Sequence, residues 1–299
     1  MAGVIPFFTI EPIDIFGLKL QPFGILVATG VLFGAHLVRR YAEKHKLDLD
    51  VIQTMTAWTV IPGFLGAHFF DLIFYHPENV AEDPLIIIKL WAGISSVGGM
   101  LGGLIGFSWY HHRVRKKPED ILRYSDAALY GIVPAWVFGR VGCTIVQDHP
   151  GAPSDFPLAM TFKDGVARHN LGFYEMLWLV VIATVIFIIA RNYKSRPAGF
   201  IAALAPTMYG PGRFMLDFLR APKAEGGDIR YLGLTPAHYV SIGFAAMGAL
   251  LLWYAYARRQ DPVGDYVEPD PDDGDGDEVP PKQAPPKQAP KKKKHKKRK

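Results

Sequence analysis

The sequence predicts an all-α polytopic membrane protein with about seven transmembrane helices. Hydrophobic residues make up 49% of the 299 positions, and they gather in runs close to the roughly 20 residues that a helix needs to cross a bilayer. Basic residues recur between these runs in an alternating pattern, which indicates an orientation in the membrane. A soluble protein of this length seldom distributes its residues in this way.

Several of the apolar runs contain Gly and Pro, as in AWTVIPGFLGAHFF. Spanning helices tolerate such breaks where neighbouring helices or a cavity satisfy the freed backbone groups. The glycines of SSVGGMLGGLIG have two interpretations, which are close helix packing through small residues and direct contact with a ligand. The seven predicted spans are 21–38, 53–75, 92–110, 127–147, 173–190, 199–218 and 237–257.

The charges of the loops predict the orientation. The second loop, YHPENVAEDPL, has no Lys or Arg, whereas the first, third and fifth loops are rich in both. The positive-inside rule therefore predicts an N-terminus outside and a C-terminus in the cytoplasm. The basic residues of the odd-numbered loops are Arg39, Arg40, Lys44 and Lys46, then Arg113, Arg115, Lys116, Lys117 and Arg123, then Arg191, Lys194 and Arg196.

The sequence divides into a membrane domain, 1–258, and a tail, 259–299, that is acidic, then Pro-rich, then polybasic. The tail has little apolar surface to bury, so we expect it to be disordered. Its lysines are attracted to anionic lipid by about 1 kcal/mol per residue near the surface. The alternatives are a solvated tail and weak RNA binding. Cys143 is the only cysteine, so the chain cannot form an internal disulfide.

Ionisable residues within the predicted spans are the first candidates for function, because a charge inside a bilayer is costly. Two of them are arginines, Arg140 and Arg213, whose planar guanidinium groups suit bidentate contacts with phosphate. The other ionisable residues at or within the spans are His36, His68, Asp71, Asp148, His149, Glu175, Asp217 and His238.

Arg213 precedes Asp217 by four residues, so the two side chains lie on one face of a helix. The alternative is that Arg213 and Asp217 form an ion pair that only holds helices together. For Arg140, the alternative is a structural bond to a carbonyl or carboxylate. Two inward arginines beside Asp148 and His149 favour an anionic ligand instead. The abundant anionic ligand in a membrane is a phospholipid headgroup.

Four segments, in order along about 15–258, resemble the prolipoprotein diacylglyceryl transferase family. GRVGCTIVQD resembles the signature Gly-Arg-x-Gly-Asn-Phe-x-Asn-Gly-Glu, and Gly151 falls on the trailing glycine of that signature. WAGISSVGGMLGGLIG resembles Trp-x-Gly-Gly-x-Ser-x-His/Tyr-Gly-Gly. ARHNLGFYE resembles Arg-His-Pro-x-Gln-Leu-Tyr-Glu, and MYGPGRFMLDFLRAPK resembles Tyr-Gly-x-x-Arg-x-x-x-Glu-x-x-Arg-x-Pro-Asp. The matched residues in the last two segments are Arg168, His169, Tyr174, Glu175, Tyr209, Arg213 and Asp217.

The resemblance implies a multi-pass enzyme of the bacterial cytoplasmic (inner) membrane that starts lipoprotein maturation. Phosphatidylglycerol binds from the outer leaflet, and the lipobox cysteine thiol in the signal peptide of a prolipoprotein attacks the diacylglyceryl carbon. A thioether forms and glycerol phosphate leaves. No metal or soluble cofactor is implied. The expected partners are phosphatidylglycerol, the prolipoprotein and membrane lipid, with no nucleic acid.

We expect Arg140 and Arg213 to stabilise the leaving phosphate. The thiol needs a base, because the thiolate is the nucleophile. His149 is the predicted base, with Asp148 orienting its ring; the alternative is a helix-end residue at the membrane interface. The residues predicted to bind the substrate are Arg140, Arg213, Asp217, Gly98, Gly99, Gly142, Gly151, Tyr209, Tyr174 and Glu175.

The chain departs from the family pattern at polar positions. Val97 stands where His or Tyr is usual, or Leu101 does if the neighbouring Gly-Gly is the matching pair. Phe23 stands where Tyr is usual, and Cys143 where Asn is usual. Asp148 and Asp217 replace glutamates and keep the charge with a shorter reach. We expect Cys143 to be a small packing residue and not a nucleophile.

These departures raise two other hypotheses. The first is a non-catalytic paralogue that keeps the pocket and binds only anionic phospholipid or lipoprotein. The second is a small-anion transporter, because buried arginines and broken helices occur in that class too. No inverted repeat is evident in the sequence, so the transporter hypothesis ranks last.

Overall fold

Helices account for most of the computed structural model, which describes residues 5–6, 8, 10, 12–15, 18–89, 93, 95–117, 120–222 and 230–257. The predicted tail, 259–299, lies outside these residues. Short π-helical segments, 71–75 and 110–114, continue α2 and α4. The helices are α1 (Pro22–Lys44), α2 (Leu49–Phe70), α3 (Pro77–Glu82), α4 (Ser96–Trp109), α5 (Ile121–Val146), α6 (Leu171–Asn192), α7 (Phe200–Asp217) and α8 (Pro236–Ala257).

Every predicted span overlaps one helix, and these helices are α1, α2, α4, α5, α6, α7 and α8. Four of them, α1, α5, α6 and α8, are long and apolar enough to cross a membrane. Helix α4 has 14 residues, which is short of the roughly 20 residues of a straight span. The structure therefore agrees with a helical membrane protein.

The expectation of an all-α chain needs one correction, because the described residues contain two small antiparallel sheets. Strands β1 (Ile13–Ile15) and β2 (Leu18–Leu20) form one of them. Strands β3 (Pro150–Pro153), β4 (Met160–Thr161) and β5 (Ala167–Asn170) form the other, in the order β3-β5-β4. The second sheet fills the connection between α5 and α6. Prolines at 150, 153 and 157 prevent a helix there, and strand pairing satisfies the backbone groups instead.

The helices pack in pairs. Helix α1 packs on α5, α2 on α4 and α7 on α8, while α5 also contacts α6 and α7. The α2–α4 contact depends on small residues, because a Cβ added at Gly98 would lie 2.3 Å from the carbonyl oxygen of Gly66. Close packing is therefore what the structure shows for this glycine of SSVGGMLGGLIG.

Two groups of buried polar residues, among those that the structure describes, lie at the ends of α1 and of α5 to α8. The first, called the site end here, combines the last turns of α5 and α7 with the first turns of α6 and α8. The second, called the opposite end, combines the last turn of α1, the first turns of α5 and α7, and the α6–α7 connection. The two ends alternate along the chain, as antiparallel helices require.

The end of α5 shapes the site end. Gln147 follows the helix with φ of +56°, and its N–H donates to the carbonyl of Cys143 at 2.9 Å. Its side-chain amide donates to the carbonyl of Thr161 in β4 at 2.9 Å. This left-handed residue stops the helix and reverses the chain, so that Asp148 and His149 return beside the last turn of α5.

Candidate active site

Glu175, in the second turn of α6, forms the centre of the site end. Its side chain is 1% exposed, and its Oε1 lies 3.0 Å from Nη2 of Arg140 and 3.6 Å from Nε of Arg213. The hydroxyl of Tyr209 donates to the same oxygen. One carboxylate thus holds the two predicted arginines, which come from α5 and α7. The alternative of a structural tie between Arg140 and a carboxylate is therefore present in the structure.

Asp217, at the end of α7, is the second buried carboxylate. Nη1 of Arg213 lies 2.7 Å from its Oδ1, which confirms that Arg213 and Asp217 share a helix face. Nε of Arg220 reaches the same oxygen at 2.9 Å. The other oxygen, Oδ2, accepts from the hydroxyl of Thr235 and lies 3.4 Å from Nδ1 of His238.

Arginines predominate in this cluster. Three guanidinium groups face two carboxylates, and all five side chains are at most 10% exposed. Among the described residues no acceptor bonds to the buried Nε of Arg140. A buried polar group without a partner is costly, so an anionic ligand that accepts from Nε would complete the hydrogen bonding of Arg140. The members of the cluster are Arg140, Glu175, Arg213, Asp217 and Arg220.

Asp148 and His149 lie on the other side of Arg140. Nδ1 of His149 contacts Oδ1 of Asp148, and the two side chains are 28% and 39% exposed. Cys143 joins this pair to the arginine, because its Sγ lies 3.9 Å from Nη1 of Arg140. The sulfur, a carboxylate oxygen and a ring nitrogen of these residues lie within 4.8 Å of one another. The partly exposed pair therefore stands at the water side of the buried arginines.

Tyr174 and Arg168 make contacts outside the arginine cluster. The hydroxyl of Tyr174 is 2.9 Å from Nδ1 of His169, and burial lowers the pKa of His169. Arg168 pairs with Asp164 at 3.1 Å. The backbone N–H of Val166 and the Arg168 guanidinium hold the pKa of Asp164 below its ordinary value. Tyr174 is next to Glu175 in the sequence, but its hydroxyl points towards His169 in β5.

The glycines predicted to bind the substrate lie where other parts of the chain approach the backbone closely. A Cβ at Gly151 would lie 2.7 Å from the carbonyl oxygens of both His169 and Leu219, and a Cβ at Gly142 would lie 2.6 Å from the Phe23 ring. Gly98 and Gly99 face α2, and the nearest side chain to a Cβ at Gly99 is Ala67 at 3.6 Å. Gly142 and Gly151 thus lie beside the site, whereas Gly98 and Gly99 lie in a helix–helix contact.

Comparison with known proteins places this chain in a family. Residues 12–254 match the family model described as prolipoprotein diacylglyceryl transferase. The chain belongs to this family. Curated relatives named phosphatidylglycerol–prolipoprotein diacylglyceryl transferase are similar along most of their length.

Three of these relatives show the extent of the similarity. The protein of Vibrio parahaemolyticus is 29% identical over 270 residues, which cover 86% of this chain and 94% of the relative. The protein of Photobacterium profundum is 29% identical over 272 residues, which cover 86% and 97%. The protein of Clostridium tetani is 27% identical over 213 residues, which cover 69% and 83%.

Membership of the prolipoprotein diacylglyceryl transferase family makes the chain an enzyme, a transferase of lipoprotein biosynthesis. Together with its apolar helices, membership also makes it a multi-pass membrane protein. The sequence prediction of the family and of an enzyme is therefore confirmed.

Three residues of the site escaped the sequence prediction. Arg220 and Thr235 both contact Asp217, and the N–H of Thr235 donates to Nδ1 of His238 at 3.1 Å. Arg220 could have been identified from the sequence, because it matches the last arginine of the family's Tyr-Gly-x-x-Arg segment. His238 was noted only as an ionisable residue at a span, and nothing in the sequence pointed to Thr235.

Proposed function

We propose that the chain transfers the diacylglyceryl group of phosphatidylglycerol to the lipobox cysteine of a prolipoprotein signal peptide. The observation that carries this proposal is the buried Arg140 guanidinium, which lies beside Arg213 on Glu175 and whose Nε bonds to no acceptor among the described residues. The phosphodiester of phosphatidylglycerol is an anion with free acceptor oxygens, so the lipid headgroup supplies the partner that this guanidinium lacks. The names of the relatives agree with this substrate pair.

The proposal includes a topology of seven spans in the bacterial inner membrane, with the N-terminus outside and the C-terminus in the cytoplasm. The positive-inside rule supports it, since the basic loops follow α1, α4 and α6. In this orientation the site end faces the outer leaflet, where an exported prolipoprotein presents its signal peptide. The opposite end then faces the cytoplasm.

Arg140 and Arg213 are proposed to act on the phosphate. When the thiolate attacks, the bond between the glyceryl carbon and the phosphate oxygen breaks, and its electron pair goes to that oxygen. The phosphate charge then rises from one to two. Fixed cationic donors in a buried site stabilise such a developing charge far more than water does. Glu175, Tyr209 and Asp217 hold the two guanidinium groups in position.

His149 is proposed as the base that removes the thiol proton, and Asp148 as the residue that orients its ring. The contact between Nδ1 of His149 and Oδ1 of Asp148 supports this pairing, because a carboxylate fixes the tautomer of a neighbouring histidine. Val97 and Phe23 have no group that can transfer a proton. Asp148 and His149 also lie on the exposed side, where the proton can pass to water.

The remaining predicted residues are proposed to shape the lipid site. Gly142 and Gly151 keep the backbone close beside the arginines, and Tyr174 borders Glu175. Gly98 and Gly99 remain predicted contacts of the substrate, although their packing against α2 also explains them. Their substitution with Ala separates the two roles, because a packing role changes thermal stability before it changes the KM for lipid.

The test is transfer by the purified full-length chain. A synthetic lipobox peptide and phosphatidylglycerol are supplied, and mass spectrometry follows the diacylglyceryl thioether while a second assay follows released glycerol phosphate. We expect the two products in equal amounts, and neither from the Arg140→Ala variant. The Vibrio parahaemolyticus relative is run in parallel as the matched control.

Absence of both products, with the relative active, would overturn the proposal. The non-catalytic alternative predicts a different result, which is Arg140-dependent binding of phosphatidylglycerol without release of glycerol phosphate. A lipid-binding measurement on the same samples therefore separates the two outcomes. Vesicles of phosphatidylcholine serve as the control for binding that does not depend on headgroup charge.

A further inference from the structure

Cys143, Asp148 and His149 present three different kinds of metal-binding atom at one place. Their sulfur, carboxylate oxygen and ring nitrogen lie within 4.8 Å of one another. We propose that these residues bind a thiophilic divalent ion of the zinc class, and that the bound ion inhibits diacylglyceryl transfer. The binding stands on its own, whereas the inhibition rests on the proposed function.

The donor set matches the chemistry of zinc, which takes thiolate, imidazole and carboxylate ligands. In a tetrahedral zinc site with bonds of about 2.0–2.3 Å, ligand atoms lie roughly 3.3–3.8 Å apart. The widest separation therefore needs to close by roughly 1 Å, whereas Nδ1 of His149 and Oδ1 of Asp148, which are already in contact, need to move apart. Asp148 and His149 are partly exposed, so their side chains can make this adjustment. Three protein ligands leave a fourth position for water.

The local backbone explains why the three residues meet. Cys143 is in the last turn of α5, and the left-handed Gln147 returns the chain against that turn. The amide of Gln147 and the carbonyl of Thr161 tie the turn to β4. The ligands thus project from a fixed helix end. Few other conformations of the backbone therefore compete with the one that binds the ion.

The surrounding charge permits a cation at this place. A divalent ion held by the thiolate of Cys143 and the carboxylate of Asp148 forms a neutral unit. The nearby Arg140 guanidinium, whose Nη1 lies 3.9 Å from Sγ, therefore meets no net positive charge. The exposed side of His149 provides the entry path from water.

Occupancy by the ion has a direct consequence for transfer. The ion engages a ring nitrogen of His149 and an oxygen of Asp148, and these are the groups proposed to accept and stabilise the thiol proton. With both groups engaged, the lipobox thiol has no base and the transfer slows. No covalent step is added, and removal of the ion restores the free pair.

Binding is tested first, with zinc alone. Full-length protein without a polyhistidine tag is stripped of metal and titrated with Zn²⁺ by calorimetry. We expect one ion per chain, and a loss of affinity of about 100-fold or more in Cys143→Ser and in His149→Gln, since even outer-shell changes cost about 10–100-fold. His76→Gln is the matched control. His76 also pairs with an aspartate, Asp71, at 3.3 Å, but no cysteine completes that pair in the described structure.

The same samples test the inhibition. Zinc is expected to slow transfer by the wild type, and a chelator to restore it, whereas the rate of Cys143→Ser is expected to be the same with and without zinc. Binding that is absent, or unchanged in Cys143→Ser, overturns the site. Equal inhibition of both proteins overturns the link between the site and the reaction. If the metal-free wild type shows no transfer, the proposed function fails, and the titration still decides the site.

Discussion

The two ends of the helix bundle both bury an arginine, but they satisfy it in different ways. At the opposite end Arg196 is fully buried, and it donates to the carbonyl of Tyr193 at 2.8 Å and to the hydroxyl of Tyr41 at 2.9 Å. These acceptors are neutral groups. At the site end Arg140 and Arg213 meet the carboxylates of Glu175 and Asp217.

The buried carboxylates differ in the same way. Both oxygens of Asp126 accept backbone N–H groups at the start of α7, from Gly199 at 3.0 Å and from Ala202 at 2.9 Å. These are donors that a helix start leaves without intrahelical partners, so Asp126 completes the fold. Glu175 instead meets charged side chains that belong to two other helices.

An unpaired donor does not separate the two ends, because the buried Nε atoms of Arg140 and Arg196 both lack an acceptor among the described residues. The partners of the guanidinium groups do, because Arg196 donates to a carbonyl and a phenol, whereas Arg140 and Arg213 converge on carboxylates. A buried charge that backbone and phenol groups satisfy indicates a structural role, whereas arginines from two helices that converge on one carboxylate indicate a site. The same type of substitution, made once at each end, tests this distinction.

Glu175→Gln should have the largest effect. The amide keeps the shape of the side chain but cannot neutralise Arg140 and Arg213, so both guanidinium groups shift from their positions. We expect transfer to fall by about 100-fold, the usual cost of a misplacement near 1 Å. Removal of one partner of a buried pair also costs about 3–5 kcal/mol of stability. Transfer by the folded fraction and the melting temperature are both measured, and an unchanged rate per folded molecule would contradict the role of Glu175.

Asp126→Asn is the same change at the opposite end and should act on stability alone. An asparagine offers one acceptor where two N–H groups converge, and its NH₂ faces the second of them. We expect a loss of about 1–3 kcal/mol, seen as a lower melting temperature in detergent. The rate of transfer per folded molecule should remain that of the wild type. A large loss of rate without a change in melting temperature would show that the comparison between the ends is wrong.

Tyr209→Phe and Tyr41→Phe remove one hydroxyl from each end. The hydroxyl of Tyr209 bonds to Glu175, and a hydrogen bond to a buried charge contributes about 1.5–3 kcal/mol. We expect Tyr209→Phe to slow transfer by about tenfold, because Glu175 then holds the arginines less firmly. Tyr41→Phe removes an acceptor of Arg196 and should lower only the melting temperature. Equal rate losses in the two variants would remove the distinction between the ends.

The features that could be predicted from the sequence are those with short-range causes. The long helices follow from apolar runs, and the Arg213–Asp217 pair follows from helix spacing. The sheet of β3, β4 and β5 was not predicted, because its strands are short and interrupted by proline, so no alternating pattern develops. The candidate site could be proposed from its residue types, since arginines within apolar runs are conspicuous.

The partners of these residues could not be predicted, because they depend on packing between helices. Glu175 joins α5 and α7 from a third helix, and no spacing in the sequence encodes that contact. Thr235 reaches Asp217 across 18 residues of chain, which includes the segment 223–229 outside the described residues. The grouping of Cys143 with His149 depends on the left-handed conformation of Gln147, which is uncommon for a residue other than glycine.

A fall in pH should destabilise the opposite end, and we expect this effect to be the smallest of the series. Burial, with Arg196 and Lys44 nearby, lowers the pKa of His45 from its ordinary 6.5 to about 4. The neutral ring accepts from Nη2 of Arg196 at 3.3 Å. The folded state therefore favours neutral His45, so this stabilisation is complete above pH 6.5 and is lost as the pH falls towards 4.

The expected result is a melting temperature that falls between pH 7 and pH 5 by more in the wild type than in His45→Gln. The glutamine still offers Arg196 an acceptor and does not titrate, so carboxylates and other histidines contribute equally to both proteins. Equal falls in the two proteins would contradict the assignment. Because His45 lies at the opposite end, the variant should also transfer at the wild-type rate at pH 7. The pH response of stability would then be separated from that of catalysis, which the proposed role of His149 places at the site end.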